Sequence, residues 1–191
     1  MQFLTIPAFE LIAGCMFSGK TEELIRRLRR AEYAKRKVAL FKSYQDDRCS
    51  HDCTKTHNGE SFKAISVENP EEIIVFVLTN EIDIIGIDEI QFFDEAIIPV
   101  LTQLVFVMKK NVIAAGLNRD YRGRPFGCMP LIMSMAHFIT TLHAFCAVCG
   151  APAVHSKRIK GSKDLVQTGA KDSYEARCTM HFSPQLEDSP E

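Results

Sequence analysis

Short apolar runs alternate with amphipathic or polar segments along the first three quarters of the chain. Residues 9–14 (FELIAG) form a short apolar run that closes on glycine, consistent with a buried strand. From Lys20 to about Lys35 the period lengthens. Leu24, Leu28 and Ala31 fall on one stripe, with Arg26, Arg27 and Arg30 off it, which predicts an amphipathic helix. A second buried strand is predicted over 37–42 and a polar, turn-rich loop over 43–63. Asn69 as cap, Pro70 at the first helical position and Glu71 and Glu72 in the first turn then start a helix. A third strand follows at 82–89. A helix is predicted over 94–110, with Pro99 in its first turns and Lys109 and Lys110 at its end. Residues 111–117 read as a fourth strand, LIMSMA as a short helix and 137–145 as a fifth strand.

Strands that are apolar on both faces and alternate with helices predict an α/β fold around a parallel sheet covered on both sides. After Phe145 the period is lost and cysteine, glycine, proline and charge dominate, so a boundary is expected near residue 144. The closing SPQLEDSPE is acidic and Pro-rich and reads as a flexible tail over 183–191. A net charge of −1 gives no global pull toward nucleic acid or an anionic membrane. The basic stretch 26–37 is therefore read as a solvated helix face. The most apolar run, 97–108, is too short to span a bilayer. The first residues lack a basic signal-peptide start, so a cytoplasmic protein is expected, with its seven cysteines reduced rather than forming a disulfide framework.

Residues 14–21 (GCMFSGKT) fit the spacing G-x-x-x-x-G-K-[ST] between a predicted strand and a predicted helix. Glycines let such a loop wrap closely, so that backbone N–H groups along Gly14, Cys15, Met16, Phe17, Ser18 and Gly19 can face phosphate oxygens. The helix start adds a positive end. Lys20 would reach the outer phosphates, and the Thr21 hydroxyl would ligate Mg²⁺. Downstream, IIGIDEIQFF ends a buried strand on two carboxylates. Asp88 suits a Mg²⁺-holding strand-end aspartate, and Glu89 suits a general base. Whether that base would act on water or on a substrate hydroxyl is left open by the spacing. The first 143 residues are thus expected to form a P-loop nucleotide-binding α/β domain of RecA-like type.

Cys146-Ala-Val-Cys149 and Cys178-Thr-Met-His181 make two paired knuckles with the ligand set of a closed, structural Zn²⁺ site. A zinc-binding lobe is expected over 144–182. His51, His57, His137, His143 and His155 have no such spacing. Three readings fit the residues to this point: a nucleotide-dependent kinase, an ATPase whose zinc lobe binds nucleic acid, or a non-catalytic nucleotide-binding module.

Taken together, GCMFSGKTEELIRR, DDR at 46–48, GIDEIQFF, GLNRDYRGRPFG at 116–127, CAVC and VQTGAKDSYEARCTMH resemble, in this order, the type II thymidine kinase family, that of the human cytosolic enzyme. The resemblance covers about residues 8–182. It implies transfer of the γ-phosphoryl group of ATP to the 5′-hydroxyl of thymidine, with deoxyuridine as a lesser substrate, in a homotetramer inhibited by dTTP, with no nucleic-acid or membrane partner. It implies that Glu89 is the catalytic base and that Asp88 lies near Mg²⁺. It places Gln91 in the nucleotide-site motif with Phe92 beside it, and Asp46, Asp47 and Arg48 near the phosphates. Met16, Leu117, Tyr121 and Phe126 match residues lining the base pocket. Leu165, Val166, Gln167, Thr168 and Gly169 match a lasso loop that holds thymine through backbone groups, and Tyr174 matches a tyrosine that meets the deoxyribose. Cys15 stands where the family often has proline, Asn118 where aspartate is common, Tyr121 where phenylalanine is usual and His181 where a fourth cysteine is usual.

Overall fold

A computed structural model describes residues 6–44, 53–55, 61–160 and 173–184. Its main sheet has seven strands in the order β3-β4-β2-β5-β6-β1-β7. These are β1 (Phe9–Gly14), β2 (Val38–Ser43), β3 (Cys53–Lys55), β4 (Ser61–Val67), β5 (Ile84–Asp88), β6 (Asn111–Leu117) and β7 (Phe138–Leu142). Every pair is parallel except the β3–β4 edge hairpin. Register puts Gly14 opposite Leu117 and Leu142, and Lys42 opposite Asp88. The carboxyl ends of β1, β2, β5 and β6 therefore share one rim, where ligands bind in open α/β sheets.

Both faces of the sheet are packed. Ile12, Leu40, Ile84 and Ile113 meet Leu24, Leu28 and Ala31 of α1 (Lys20–Tyr33) on one side. Phe9, Leu11, Phe41, Ile85 and Val112 meet Ile73 and Val77 of α2 (Glu71–Asn80) and Ile97 and Leu101 of α3 (Ile97–Thr102) on the other. Gly86 lets α1 close on the sheet, since a Cβ there would lie 2.6 Å from Leu28 Cδ1. Arg27 of α1 donates to Glu23 and Glu10 at 2.8 and 2.7 Å, and to Thr140 Oγ1 at 2.9 Å, tying the helix to β1 and β7. Hydrogen bonds from Arg26, opposed by partial burial and reinforced by Arg27, hold the Glu23 carboxyl at about 2.

The sequence pattern misplaced three features. The expected loop over 43–63 contains β3 and the start of β4, where Lys63 and Ser66 interrupt the apolar positions on both faces, so the strand does not read as buried. The expected helix over 94–110 is shorter. After α3 it widens into a π-helical stretch, Gln103–Val107, leaving Phe106 and Val107 exposed. The expected strand over 137–145 divides at His143, with β7 in the main sheet and β8 (Ala144–Phe145) in another. A further helix, α4 (Met129–Met135), covers the LIMSMA segment.

Beyond β7, β8 pairs antiparallel with β9 (Pro152–Ala153), and β10 (His155–Arg158) with β11 (Tyr174–Arg177). A 3₁₀ turn, Thr179–His181, follows. Among the described residues no helix is long and apolar enough to cross a membrane.

Candidate active site

The 14–21 loop leaves β1 at Gly14 and enters α1 at Lys20. Phe17 (φ 66°) and Gly19 (φ 80°) both take the left-handed conformation, which turns the chain back on itself. The loop is tight against its neighbours: a Cβ on Gly14 would lie 2.5 Å from Leu142 O and 2.7 Å from Ser18 Oγ. Lys20 is buried, and its Nζ donates to Cys15 O at 2.8 Å, as does Ser18 Oγ at 2.8 Å. A buried ammonium held by a main-chain carbonyl is ready to exchange that partner for an anion.

At the end of β5, two strands away, Asp88 Oδ2 accepts from Thr21 Oγ1 at 3.2 Å. A hydroxyl and a carboxylate this close form an oxygen pair that fits a small hard cation such as Mg²⁺. Glu89 follows at φ 50°, a conformation that costs a non-glycine residue about 1–2 kcal/mol. Its N–H donates to Asp88 Oδ1 at 3.0 Å. Its carboxylate accepts from Gln91 Nε2, and Gln91 Oε1 accepts the Leu117 N–H at 2.9 Å. All three side chains, Asp88, Glu89 and Gln91, are buried. Gln91 therefore fixes the Glu89 carboxylate against β6.

Gly116 makes room for that clamp. A Cβ there would lie 2.8 Å from Gln91 Oε1 and 2.9 Å from Ile90 Cγ2. Gly116→Ala is expected to push Gln91 aside and lower kcat about ten- to a hundredfold, while ATP affinity stays within about twofold. Steady-state kinetics beside equilibrium ATP binding separates the two effects.

Met16 and Phe92 pack on the buried cluster that includes Leu117 and Phe126, and Phe92 meets Phe126 edge-on at 6.0 Å. Four of the expected pocket residues are thus brought together. Tyr121 and Tyr174 form a second group around Arg158, whose guanidinium lies 3.8 Å from the Tyr121 ring centre and donates from Nε to Tyr174 Oη at 3.0 Å. Arg158 and Tyr174 face each other in the β10–β11 register. The Tyr121 turn is set by Asp120, whose Oδ1 accepts the Arg122 and Arg124 N–H groups, each at 2.9 Å. Asp46, Asp47, Arg48, Leu165, Val166, Gln167, Thr168 and Gly169 lie outside the described residues.

Sequence reasoning missed Lys42, Ser156 and Arg158. Lys42 is fully buried on β2, in register with Asp88 and on the same sheet face. Its signal was a lysine inside the apolar strand VALFKS. Ser156 and Arg158 carried no local signal.

Cys146, Cys149, Cys178 and His181 place their ligand atoms within 4.8 Å of one another. The Cys149–Cys178 sulfurs are 3.7 Å apart, and Cys146 and Cys178 lie 3.7 and 3.3 Å from His181 Nδ1. A tetrahedron with Zn–S bonds of about 2.3 Å has sulfur–sulfur edges of about 3.8 Å, so the donor set fits zinc. Burial pushes the Cys146 thiol up, but N–H groups of Cys178, Val148 and Cys149, with the Cys178 side chain, outweigh it and hold the thiol low. At Cys149 the Ala151 N–H lowers the thiol, but burial and the Cys178 and Cys146 side chains outweigh it and push the thiol up. The cluster thus favours one thiolate before a metal arrives.

A glycine loop joining first strand to first helix, a buried lysine, a threonine held on a strand-end aspartate and a Cys₃His lobe define a P-loop nucleotide-binding protein of α/β architecture with a zinc-site lobe. A family model described as thymidine kinase matches residues 7–182. A thymidine kinase from Rhodothermus sp. (strain ITI 518) is 47% identical over 175 residues, covering 92% of this chain and 81% of that protein. The chain belongs to the thymidine kinase family and is an ATP-dependent nucleoside kinase. Among solved structures it is similar to a replication initiator DnaA bound to AMPPCP and single-stranded DNA, with TM-score 0.45 and 14% identity, covering 74% of this chain and 42% of that one. It is also similar to a DNA replication initiation factor, with TM-score 0.41 and 13% identity, covering 73% and 41%. The chain spans about two fifths of those proteins, and likenesses this loose carry no functional argument.

Proposed function

We propose that the protein transfers the γ-phosphoryl group of ATP to the 5′-hydroxyl of thymidine, giving dTMP in pyrimidine salvage, with deoxyuridine as a lesser substrate. The observation that carries this reading is the buried Glu89 carboxylate, clamped by Gln91 one residue from the Thr21–Asp88 pair, in a chain of this family. Glu89 takes the proton of the attacking hydroxyl. Lys20 leaves Cys15 O for the outer phosphates as ATP enters. Thr21 and Asp88 would hold Mg²⁺, whose charge would offset that of the phosphates. Arg48, outside the described residues, is assigned by the family resemblance to offset charge on the transferred group.

The base lies among Met16, Phe92, Leu117, Tyr121 and Phe126. Leu165, Val166, Gln167, Thr168 and Gly169, outside the described residues, are assigned to base recognition through main-chain groups by the family resemblance alone, because an uncharged pyrimidine offers only N–H and C=O handles. Tyr174 meets the sugar once it releases Arg158. Excluding water from the site directs the phosphoryl group to the nucleoside rather than to hydrolysis. The same site takes dTTP as a feedback inhibitor, and the working form is a cytoplasmic homotetramer built from a nucleotide domain over 1–143 and a zinc lobe over 144–182.

Purified protein with Mg·ATP and a nucleoside panel tests this. Thymidine is expected to be the best acceptor, deoxyuridine weaker, purine deoxynucleosides inactive, and micromolar-range dTTP inhibitory at or below typical substrate affinities of about 1 μM–1 mM. ATP consumption that requires a polynucleotide, or that ignores every deoxynucleoside, refutes the reading.

A further inference from the structure

One residue of the phosphate loop reaches away from the phosphate site. The Cys15 side chain is buried, not in the sheet core but in a separate cluster with Ala144, Cys146, Ala153, Ala176 and Cys178. That cluster is the interior of the C-terminal lobe, and two of its members belong to the Cys₃His set. The Cys15 thiol donates to Ala153 O at 3.3 Å, and the Ala144 N–H is directed at its sulfur. The next loop residue is held by the same lobe: Met16 N–H donates to the buried Ser156 Oγ at 2.9 Å. Ser156 faces Ala176 in the β10–β11 register, two residues before Cys178.

The main chain of Cys15 faces the other way. Its carbonyl accepts both Lys20 Nζ and Ser18 Oγ. One residue therefore joins the lobe, through its side chain, to the phosphate-binding lysine, through its carbonyl. We infer that Cys15, supported by Ser156, is a positioning residue through which the C-terminal lobe sets the shape of the phosphate loop, so that ATP affinity depends on the lobe. Turning the 15–16 peptides would move the carbonyl that holds Lys20 and the N–H groups around it together. The thiol-to-lobe bond is a feature of this chain's cysteine. The inference rests on reading 14–21 as the ATP cradle.

The test uses the metal-loaded full chain and a methylene-bridged ATP analogue with Mg²⁺, titrated calorimetrically, beside thymidine titrations. Cys15→Ala is expected to weaken analogue binding about tenfold, the scale of one lost buried hydrogen bond plus relaxation of the loop, and thymidine binding less than about twofold. Cys15→Ser, which keeps a donor, recovers part of the loss. Amide exchange over 14–20 is expected to speed up in Cys15→Ala without the analogue present, a change that a general loss of stability would spread over the sheet as well. Ser156→Ala, which removes a single hydroxyl, is expected to act in the same direction and decides the matter if Cys15→Ala fails to fold. Analogue affinity within twofold of the parent in both variants, with loop exchange unchanged, overturns the inference. Lys20→Ala separates this from the cradle reading. If the parent does not bind the analogue, or Lys20→Ala leaves its affinity unchanged, the cradle reading fails and the inference falls with it.

Discussion

Glu89→Gln is expected to lower kcat for nucleoside phosphorylation by about 10²–10⁴-fold, the usual contribution of a positioned general base. The substitution keeps the size of the side chain. It also leaves an amide oxygen to accept from Gln91 Nε2 where the carboxylate accepts now. The left-handed backbone at this position is strained with either residue, so folding stability should change little. Mg·ATP binding should persist, because Lys20, Thr21 and Asp88 are untouched. What is lost is the group that takes the proton from the attacking oxygen. The measurement is kcat with saturating thymidine, beside calorimetric binding of ATP and the thermal unfolding midpoint. A variant with more than about a tenth of parental kcat would remove Glu89 from the base role, since that loss lies below the range for general-base catalysis. Loss of ATP binding in parallel would instead mark Glu89 as structural.

Removal of the metal is expected to have the second large effect. Among the described residues, the buried cluster of the C-terminal lobe is Cys15, Ala144, Cys146, Ala153, Ala176 and Cys178, with Phe182 buried apart from it against His155. Only Phe182 carries a large side chain, and burying one is worth only about 1.5–3 kcal/mol. A structural zinc site contributes on the order of 10 kcal/mol in small metal domains. The metal term therefore outweighs what the lobe's own packing can supply. Chelation, or Cys178→Ala, should unravel 144–184 while the seven-stranded sheet, with its two large clusters, keeps its fold. Limited proteolysis should cut first within the lobe, kinase activity should vanish, and much of the far-ultraviolet dichroism should remain. Parental protein should contain one zinc per chain. A metal-free protein whose lobe resists protease as well as the parent does would contradict this account.

The sequence revealed most where chemistry is local. The loop from Gly14 to Thr21, the Asp88–Glu89 pair and the two cysteine knuckles each declare themselves within eight residues. β1, β2, β5 and β6 were legible because strands covered on both faces are continuously apolar. β4 was not, because its polar residues break that pattern near the sheet's edge. The site's supports were also hidden, since each joins residues far apart in the chain. Gln91 meets Leu117 26 positions on, and Met16 meets Ser156 140 positions on. No spacing rule announces such pairs. Cys15 is the clearest case. In the sequence it fills one slot of a glycine loop, and only the fold shows that its side chain belongs to the lobe.

Phosphoryl transfer to thymidine is tested most directly by following the labelled γ-phosphoryl group of ATP in the presence and absence of thymidine. Label is expected on the nucleoside 5′-oxygen in step with ADP, and ADP formation is expected to fall to a trace without nucleoside. Equal ADP formation with and without thymidine, with the label released as inorganic phosphate, would contradict that transfer.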